Sequence, residues 1–334
     1  MTELLSVEDL RTTYPTRRTF TDRLARRPRE VVRAVDGVSL SVAKGEMLAI
    51  VGESGCGKTT TLQSILGMVP TAGGSVLING TDVTRLSSRQ MRPLRRHVQM
   101  IYQDPYESLD VRFKVRQTVE EPLLVHKIGA SKAERAQLVR AAMVRAELTP
   151  PEAYLERFPH QLSGGQRQRV AIAASLVLEP ELLLADEPVS MLDVSVRAGV
   201  LSLLDRLRRG GSMGIVMITH DLSTAAHFAD RIAVMYLGRI VEQGPARDVI
   251  HRPQHPYTKA LLSIVPRPDP RERSTGTILK GETPNPRNIP AGCRFHPRCP
   301  VAEDRCRSTD PTLAPPAHPV EGTDPEHLSA CLLA

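Results

Sequence analysis

Short apolar blocks, some alternating and some continuous, punctuate the first half of the chain. Leu4 to Tyr14 and Val31 to Val42 read as strands, and Val76-Leu77-Ile78 as another that ends at the turn pair Asn79-Gly80. Together they predict a small antiparallel sheet. Met47-Leu48-Ala49-Ile50-Val51, Leu182 to Asp186 and Ile215 to Thr219 are continuous apolar runs of the kind buried strands carry. Thr59 to Met68 reads as a helix. From about Asp104 to Pro159 the chain turns charged and helix-prone. There Ser131 and Glu134 predict a capping box that opens a helix to about Leu148, stopped by Pro150 and Pro151. This predicts a helical subdomain, about 104–162, inserted into the core. Val196, Val200, Leu204 and Leu207 recur at helical spacing in Val194 to Arg209, which Gly210 and Gly211 end. Ile232 to Tyr236, a turn at Gly238 and Arg239 to Gln243 predict a hairpin. Beyond about Gly244 prolines and charges dominate and periodicity fades, apart from a short helix near Tyr257 to Val265. The expected organisation is a core domain at 1–243 and an irregular extension at 244–334.

Composition sharpens this picture in two places. A chain of 334 residues, 41% apolar, holds one large domain plus an appendage or two domains. It has no run of about 18 apolar residues and no apolar signal core at the N-terminus, so a soluble cytoplasmic protein is expected. The formal charge of +7 is uneven: Arg17, Arg18, Arg23, Arg26, Arg27, Arg29 and Arg33 crowd one stretch, opposed there by Asp22 and Glu30. That stretch reads as a solvated surface loop, with a loop near anionic lipid headgroups as the alternative. With no tryptophan and 3% aromatic residues, stacking platforms for single strands are sparse, and no nucleic-acid partner is expected.

The chemistry concentrates in Gly52 to Thr60, GESGCGKTT, between the strand Met47 to Val51 and the helix from Thr59. Strand, glycine loop and helix in that order form a P-loop. Its backbone N–H groups wrap a triphosphate, and glycines at 52, 55 and 57 allow the angles and close approach this needs. The helix start directs positive charge at phosphate. Lys58 can reach the β- and γ-phosphates, and the Thr59 hydroxyl can ligate Mg²⁺. Cys56 is read as a small filler without a redox role. LSGGQRQR, Leu162 to Arg169, shortly precedes LLLADEP, Leu182 to Pro188. An apolar strand ending in Asp186 suits a carboxylate beside Mg²⁺ at the mouth of a parallel sheet. Glu187 follows, suited to polarising an attacking water. His220 ends the strand Ile215 to Thr219.

The extension has its own signal in Cys293, Cys299, Cys306 and Cys331. Disulfides are disfavoured in the cytosol, so four gathered thiols point to a metal. Zn²⁺ and an iron–sulfur cluster both suit four thiolates, and His296 and His318 are alternative zinc ligands.

These motifs, in this order and spacing, resemble the ATP-binding cassette (ABC) family over nearly the whole chain. HPYTKALLSIVP, His255 to Pro266, and CRFHPRCP, Cys293 to Pro300, resemble the C-terminal extension of oligopeptide/dipeptide importer ATPases. QMIYQDPYESL (Gln99 to Leu109), LSGGQRQR and EPVSMLDVSV (Glu187 to Val196) look like the F-type member of their two ATPase subunits. The resemblance implies an α/β P-loop NTPase core with a small antiparallel β subdomain, an inserted α-helical subdomain and an irregular metal-binding extension. It implies an ATPase that powers peptide import, with nickel or oligosaccharide as alternative solutes.

Site residues follow from the same resemblance. Gly52, Ser54, Gly55, Cys56, Gly57, Lys58, Thr59 and Thr60 hold the phosphates, and Tyr14 stacks on adenine. Gln103 senses Mg²⁺ and the γ-phosphate, sharing the metal with Thr59 and Asp186. Ser163, Gly164 and Gly165 form the signature motif, Asp193 communicates across the dimer, and His220 is the switch histidine. Catalysis falls to Glu187, His220, Gln103 and Lys58. The four C-terminal cysteines are implied to hold a [4Fe–4S] cluster rather than Zn²⁺. Implied partners are a D-type ATPase subunit as heterodimer, two transmembrane permeases and, indirectly, an extracytoplasmic solute-binding protein. The implied location is the cytoplasmic face of the membrane. Met191 stands where alanine is usual, Ala174 where arginine is common, and Asp110-Val111 replaces a common Asn-Pro. A soluble ABC ATPase acting on nucleic acid or ribosomes is the competing class. A single cassette with a short helical insert argues against it.

Overall fold

The structure is a computed structural model that describes residues 3–16, 31–210, 213–264, 281, 283–317 and 322–334. The arginines at 17, 18, 23, 26, 27 and 29, together with Gly211 and His318, lie outside the described residues. In chain order the strands are β1 (Glu3–Pro15), β2 (Val31–Ala43), β3 (Met47–Val51), β4 (Gly73–Ile78), β5 (Thr81–Asp82), β6 (Val98–Ile101), β7 (Leu182–Asp186), β8 (Gly214–Thr219), β9 (Arg231–Tyr236), β10 (Arg239–Pro245) and β11 (Leu328–Ser329). The chain divides into two compact units, one of residues 1–5, 42–47 and 86–219, the other of residues 6–41, 48–85 and 220–334.

In the first unit β6, β7 and β8 run parallel, with Leu182 opposite both Val98 and Gly214. Leu182 to Ala185 and Ile215 to Ile218 are fully buried, which is why both runs are apolar without alternation. β6 carries only four residues, one of them Gln99, too short and mixed a pattern to stand out in the sequence. Helices Val115–His126, Lys132–Arg145 and Gly164–Leu176 pack on one another. The start expected at Ser131 is present, but only half of the box forms. The Ser131 hydroxyl accepts from the Glu134 N–H at 3.1 Å, while the Glu134 carboxylate accepts from Ala130 rather than Ser131, at 2.7 Å. The helix ends at Arg145, short of Leu148. Glu147 turns left-handed at φ 59°, and the Leu148 N–H returns to the Met143 carbonyl, a Schellman-type stop that comes before the prolines act. Val194–Arg209 forms as expected, with Gly210 as its C-cap.

In the second unit β3 and β9 are parallel, and β9, β10 and β11 are antiparallel. The small sheet runs in the order β2-β1-β4-β5. Its β4–β5 turn uses Asn79 at φ 49° and Gly80 at φ 72°, the two left-handed residues a tight hairpin requires.

The extension does not stand apart on an irregular core of its own. It shares the core of the second unit. Tyr236 at the end of β9 meets Tyr257 and Phe295, with ring centroids 4.7 and 5.4 Å away, and all three rings are buried. Glu242 of β10, fully buried, is the polar anchor. Its carboxylate accepts the N–H groups of Gln254 at 2.6 Å and His255 at 2.9 Å, and it meets the His327 Nε2 at 2.7 Å. Next to it the His255 Nδ1 accepts from the Tyr257 N–H and caps helix Pro256–Ile264. Burial lowers the His255 pKa to about 4, so the ring is the neutral acceptor this cap needs. Glu242→Ala leaves two buried N–H groups without an acceptor and is expected to cost roughly 3 kcal/mol of unfolding free energy. Glu242→Gln keeps an acceptor oxygen and costs less. Urea unfolding of the full chain, with equal midpoints for the two variants, would contradict the anchor role.

Candidate functional site

In the second unit the P-loop joins β3 to helix Lys58–Ile65. The glycines are required for different reasons. A Cβ on Gly52 would lie 2.2 Å from the Met235 carbonyl oxygen, and one on Gly57, at φ 109°, would lie 2.1 Å from that of Ala34. Gly55 faces open space but sits at φ 77°. The loop therefore lies against the β2 and β9 backbones, with no room for a side chain at Gly52 or Gly57. Lys58 is 5% exposed. Its ammonium donates to the carbonyls of Gly52 at 2.7 Å and Glu53 at 2.9 Å. Its direction is thus set by the loop it serves. Cys56 is buried and its thiol pKa raised by that burial, which suits an inert filler. Ser54 and Thr59 are exposed, Thr60 is half-buried, and Tyr14, near the end of β1, is 37% exposed. His220 is exposed directly after β8.

In the first unit Asp186 ends β7 and is 4% exposed. Glu187 follows at φ 42°, a left-handed turn held by its N–H donating to the Ile218 carbonyl at 3.1 Å. A non-glycine residue held there marks a position the surrounding structure enforces. The Gln103 side-chain N–H donates to the Glu187 carboxylate at 3.3 Å. Ser163 caps helix Gly164–Leu176 in a full capping box with Gln166. Gly165 is held to glycine by packing: a Cβ there would lie 2.4 Å from Val196. Support for this helix comes from other arginines than the one Ala174 replaces. Arg167 donates to the Pro159 carbonyl, and Arg169 to the Ala146 carbonyl and the Glu147 carboxylate. Asp193 is the N-cap residue of Val194–Arg209, and Met191 beside it is 59% exposed.

The structure does not show the expected metal centre. Cys293, Cys299, Cys306 and Cys331 do line one small cavity, with His255, Phe295 and His296. Yet among the described residues no group of three or more His, Cys, Asp or Glu is disposed to hold a metal ion. Burial, and then the neighbouring thiols, push the Cys293 pKa to about 11, so this thiol is protonated as it stands. As a donor set, four sulfurs with no carboxylate in the lining match the soft-ligand chemistry of Zn²⁺ and iron–sulfur groups.

The extension also supplies residues that sequence reasoning did not single out. The Arg298 guanidinium forks onto the Glu53 carboxylate at 2.8 and 3.0 Å, and the Thr283 hydroxyl adds a bond at 2.6 Å. The Tyr257 hydroxyl accepts from the Glu53 N–H at 3.0 Å. Arg294 pairs with buried Asp36 of β2 and donates to the Leu237 carbonyl. Tyr257, Arg294 and Arg298 all fall inside the motifs that mark the extension, but a motif does not reveal which distant residue each one meets.

Residues 35–190 match the ABC transporter family, and residues 241–306 match the oligopeptide/dipeptide transporter C-terminal region. A peptide import ATP-binding protein of Brucella ovis is 43% identical over 331 residues, covering 99% of this chain and 98% of that protein. The chain belongs to the ABC transporter ATP-binding family. Within it, the oligopeptide transport ATP-binding protein OppF of Escherichia coli is 44% identical over 288 residues, 86% of each chain. Among solved structures, the ATP-binding cassette MJ0796, dimeric and bound to ADP and Pi, is 29% identical with a TM-score of 0.63, covering 73% of this chain and 99% of that one. The cbiO1 subunit of Clostridium perfringens, part of the transporter complex cbiONQ, is 27% identical with a TM-score of 0.64, covering 75% of this chain and 92% of that one. The expected cassette fold is therefore met. No helix among the described residues of this ABC protein is long and apolar enough to cross a membrane.

Proposed function

We propose that this chain is the ATP-binding and ATP-hydrolysing subunit that powers peptide import through an ABC transporter. The observation that carries the reading is the buried Lys58 ammonium aimed by its own P-loop, in a chain whose C-terminal region matches the oligopeptide/dipeptide family. Relatives named for peptide import and oligopeptide transport support the choice of solute.

Phosphoryl transfer to water asks a protein mainly for positioning and charge stabilisation. The N–H groups of Gly52 to Thr60 wrap the phosphates, Lys58 neutralises the β- and γ-phosphates, and Tyr14 stacks on adenine. The Thr59 hydroxyl, the Gln103 carbonyl oxygen and the Asp186 carboxylate are hard oxygen donors of the kind Mg²⁺ takes, and would hold it. Bound there, the ion would neutralise charge building on the phosphate oxygens. Glu187 takes the proton of the attacking water and His220 orients it against the γ-phosphate. Ser163, Gly164 and Gly165 present a helix start to phosphate. In this reading they serve the ATP of a partner ATPase subunit of the D type, with Asp193 carrying the signal between the two. Two permeases at the membrane and an external solute-binding protein complete the importer, with this subunit on the cytoplasmic face.

The cysteine-lined cavity is assigned to a [4Fe–4S] cluster held by Cys293, Cys299, Cys306 and Cys331, with Zn²⁺ as the alternative. A bound cation is what would let four clustered thiols ionise together. Anaerobically purified protein is expected to show the broad visible absorption of an iron–sulfur cluster and to contain iron. One equivalent of zinc without that absorption would overturn the iron assignment. The transport reading is tested by reconstitution in vesicles with the permeases and partner ATPase: ATP-dependent peptide uptake is expected. ATPase activity that peptide and its binding protein never stimulate would refute it.

A further inference from the structure

Glu53 is the residue at which the extension meets the phosphate loop, and each of its polar groups is held. Its carboxylate takes the Arg298 fork and the Thr283 hydroxyl. Its N–H donates to the Tyr257 hydroxyl. Its carbonyl accepts from the Lys58 ammonium. The two shortest contacts that aim Lys58 are the carbonyls of Gly52 and Glu53, with the Cys56 sulfur at 3.9 Å, so the orientation of the Glu53 peptide helps set where that ammonium points. Three of the groups that fix the peptide belong to the extension.

These holders are themselves packed into the second unit. Tyr257 is fully buried in the aromatic cluster with Tyr236 and Phe295. The Arg298 side chain is 8% exposed, with its guanidinium 5.9 Å from the centre of the Tyr236 ring. Its backbone sits in a tight turn, the Arg298 N–H donating to the Phe295 carbonyl and the Cys299 N–H to that of His296. Burial disfavours the charge on Glu53, but the Arg298 and Thr283 hydrogen bonds outweigh it and keep the carboxyl below its usual range. A bidentate, partly desolvated pair of this kind fixes geometry far better than a solvated one.

We propose that Arg298 and Tyr257 are positioning residues for ATP: through Glu53 they hold the phosphate loop so that Lys58 points at the incoming phosphates. The inference rests on the assignment of Lys58 as a phosphate ligand. It gives the extension a task in nucleotide binding, whatever its cysteines hold.

The test is calorimetric titration of the full chain with ATP. Wild-type protein that fails to bind ATP defeats the functional reading itself. Given wild-type binding, Arg298→Ala is expected to raise Kd about tenfold, the worth of one charge-assisted contact. Arg298→Lys should recover part of the loss, because it restores charge without the fork. Tyr257→Phe, which removes one hydroxyl from a cluster otherwise intact, should raise Kd by a smaller factor. Glu53→Gln combined with Arg298→Ala should be no worse than the more severe single change, as expected when both act through one contact. A merely structural latch predicts otherwise: lower thermal midpoints with unchanged Kd. Unchanged Kd in folded Arg298→Ala or Tyr257→Phe overturns the inference, as do losses from Glu53 and Arg298 that simply add. If Arg298→Ala fails to fold, Arg298→Lys and Tyr257→Phe decide the matter by the same criterion.

Discussion

Glu187→Gln slows ATP turnover by about 10²- to 10⁴-fold while ATP binding persists, the range expected when a general base is lost. The substitution isolates basicity from shape. Glutamine keeps the length of the side chain and one acceptor oxygen for the Gln103 N–H, which meets the Glu187 carboxylate at 3.3 Å. It also keeps the backbone turn at φ 42°, which the Ile218 carbonyl holds through the Glu187 N–H. What it removes is the carboxylate basicity on which the proposed role of Glu187 depends. The measurement is single-turnover hydrolysis by the assembled transporter, alongside a separate binding isotherm. Turnover close to wild type would remove Glu187 from the chemistry. Loss of binding instead would mean that the residue supports the nucleotide.

Lys58→Ala raises the ATP dissociation constant by about 10- to 100-fold, as the loss of a hydrogen-bonded charge on phosphate predicts. Two causes add here. The ammonium no longer meets the phosphates, and the Gly52 and Glu53 carbonyls lose the donor that ties them. Arginine is a poor rescue, because the site is 5% exposed and holds a compact ammonium rather than a planar fork. Calorimetry on folded Lys58→Ala protein checks this, and wild-type affinity in it would end the assignment of the loop.

Much of this was legible in the chain as written. The strand and loop at 47–57 appear where the apolar run and the glycines put them, because local backbone angles and close approach decide them, while the helix expected over Thr59 to Met68 runs Lys58–Ile65. The continuous runs at 182–186 and 214–219 announce strands buried on both faces. Helix ends were less legible. The capping box at Ser131 formed by half, since Glu134 reached Ala130 instead, and the helix closed through Glu147 before its prolines. A composition rich in proline and charge made the extension look coreless. Its few aromatics are buried against Tyr236 of β9, so it borrows a core instead of building one.

By itself the sequence determined the phosphate loop, the strands that carry it and the family, because each rests on neighbouring residues whose spacing states their geometry. Only the tertiary structure decided what the extension does to that loop. Glu53 meets Tyr257, Thr283 and Arg298 across separations of 204, 230 and 245 residues. No local pattern encodes such meetings. They follow from where the buried aromatic cluster sets the returning chain, and from the cost of leaving a half-buried carboxylate without a partner.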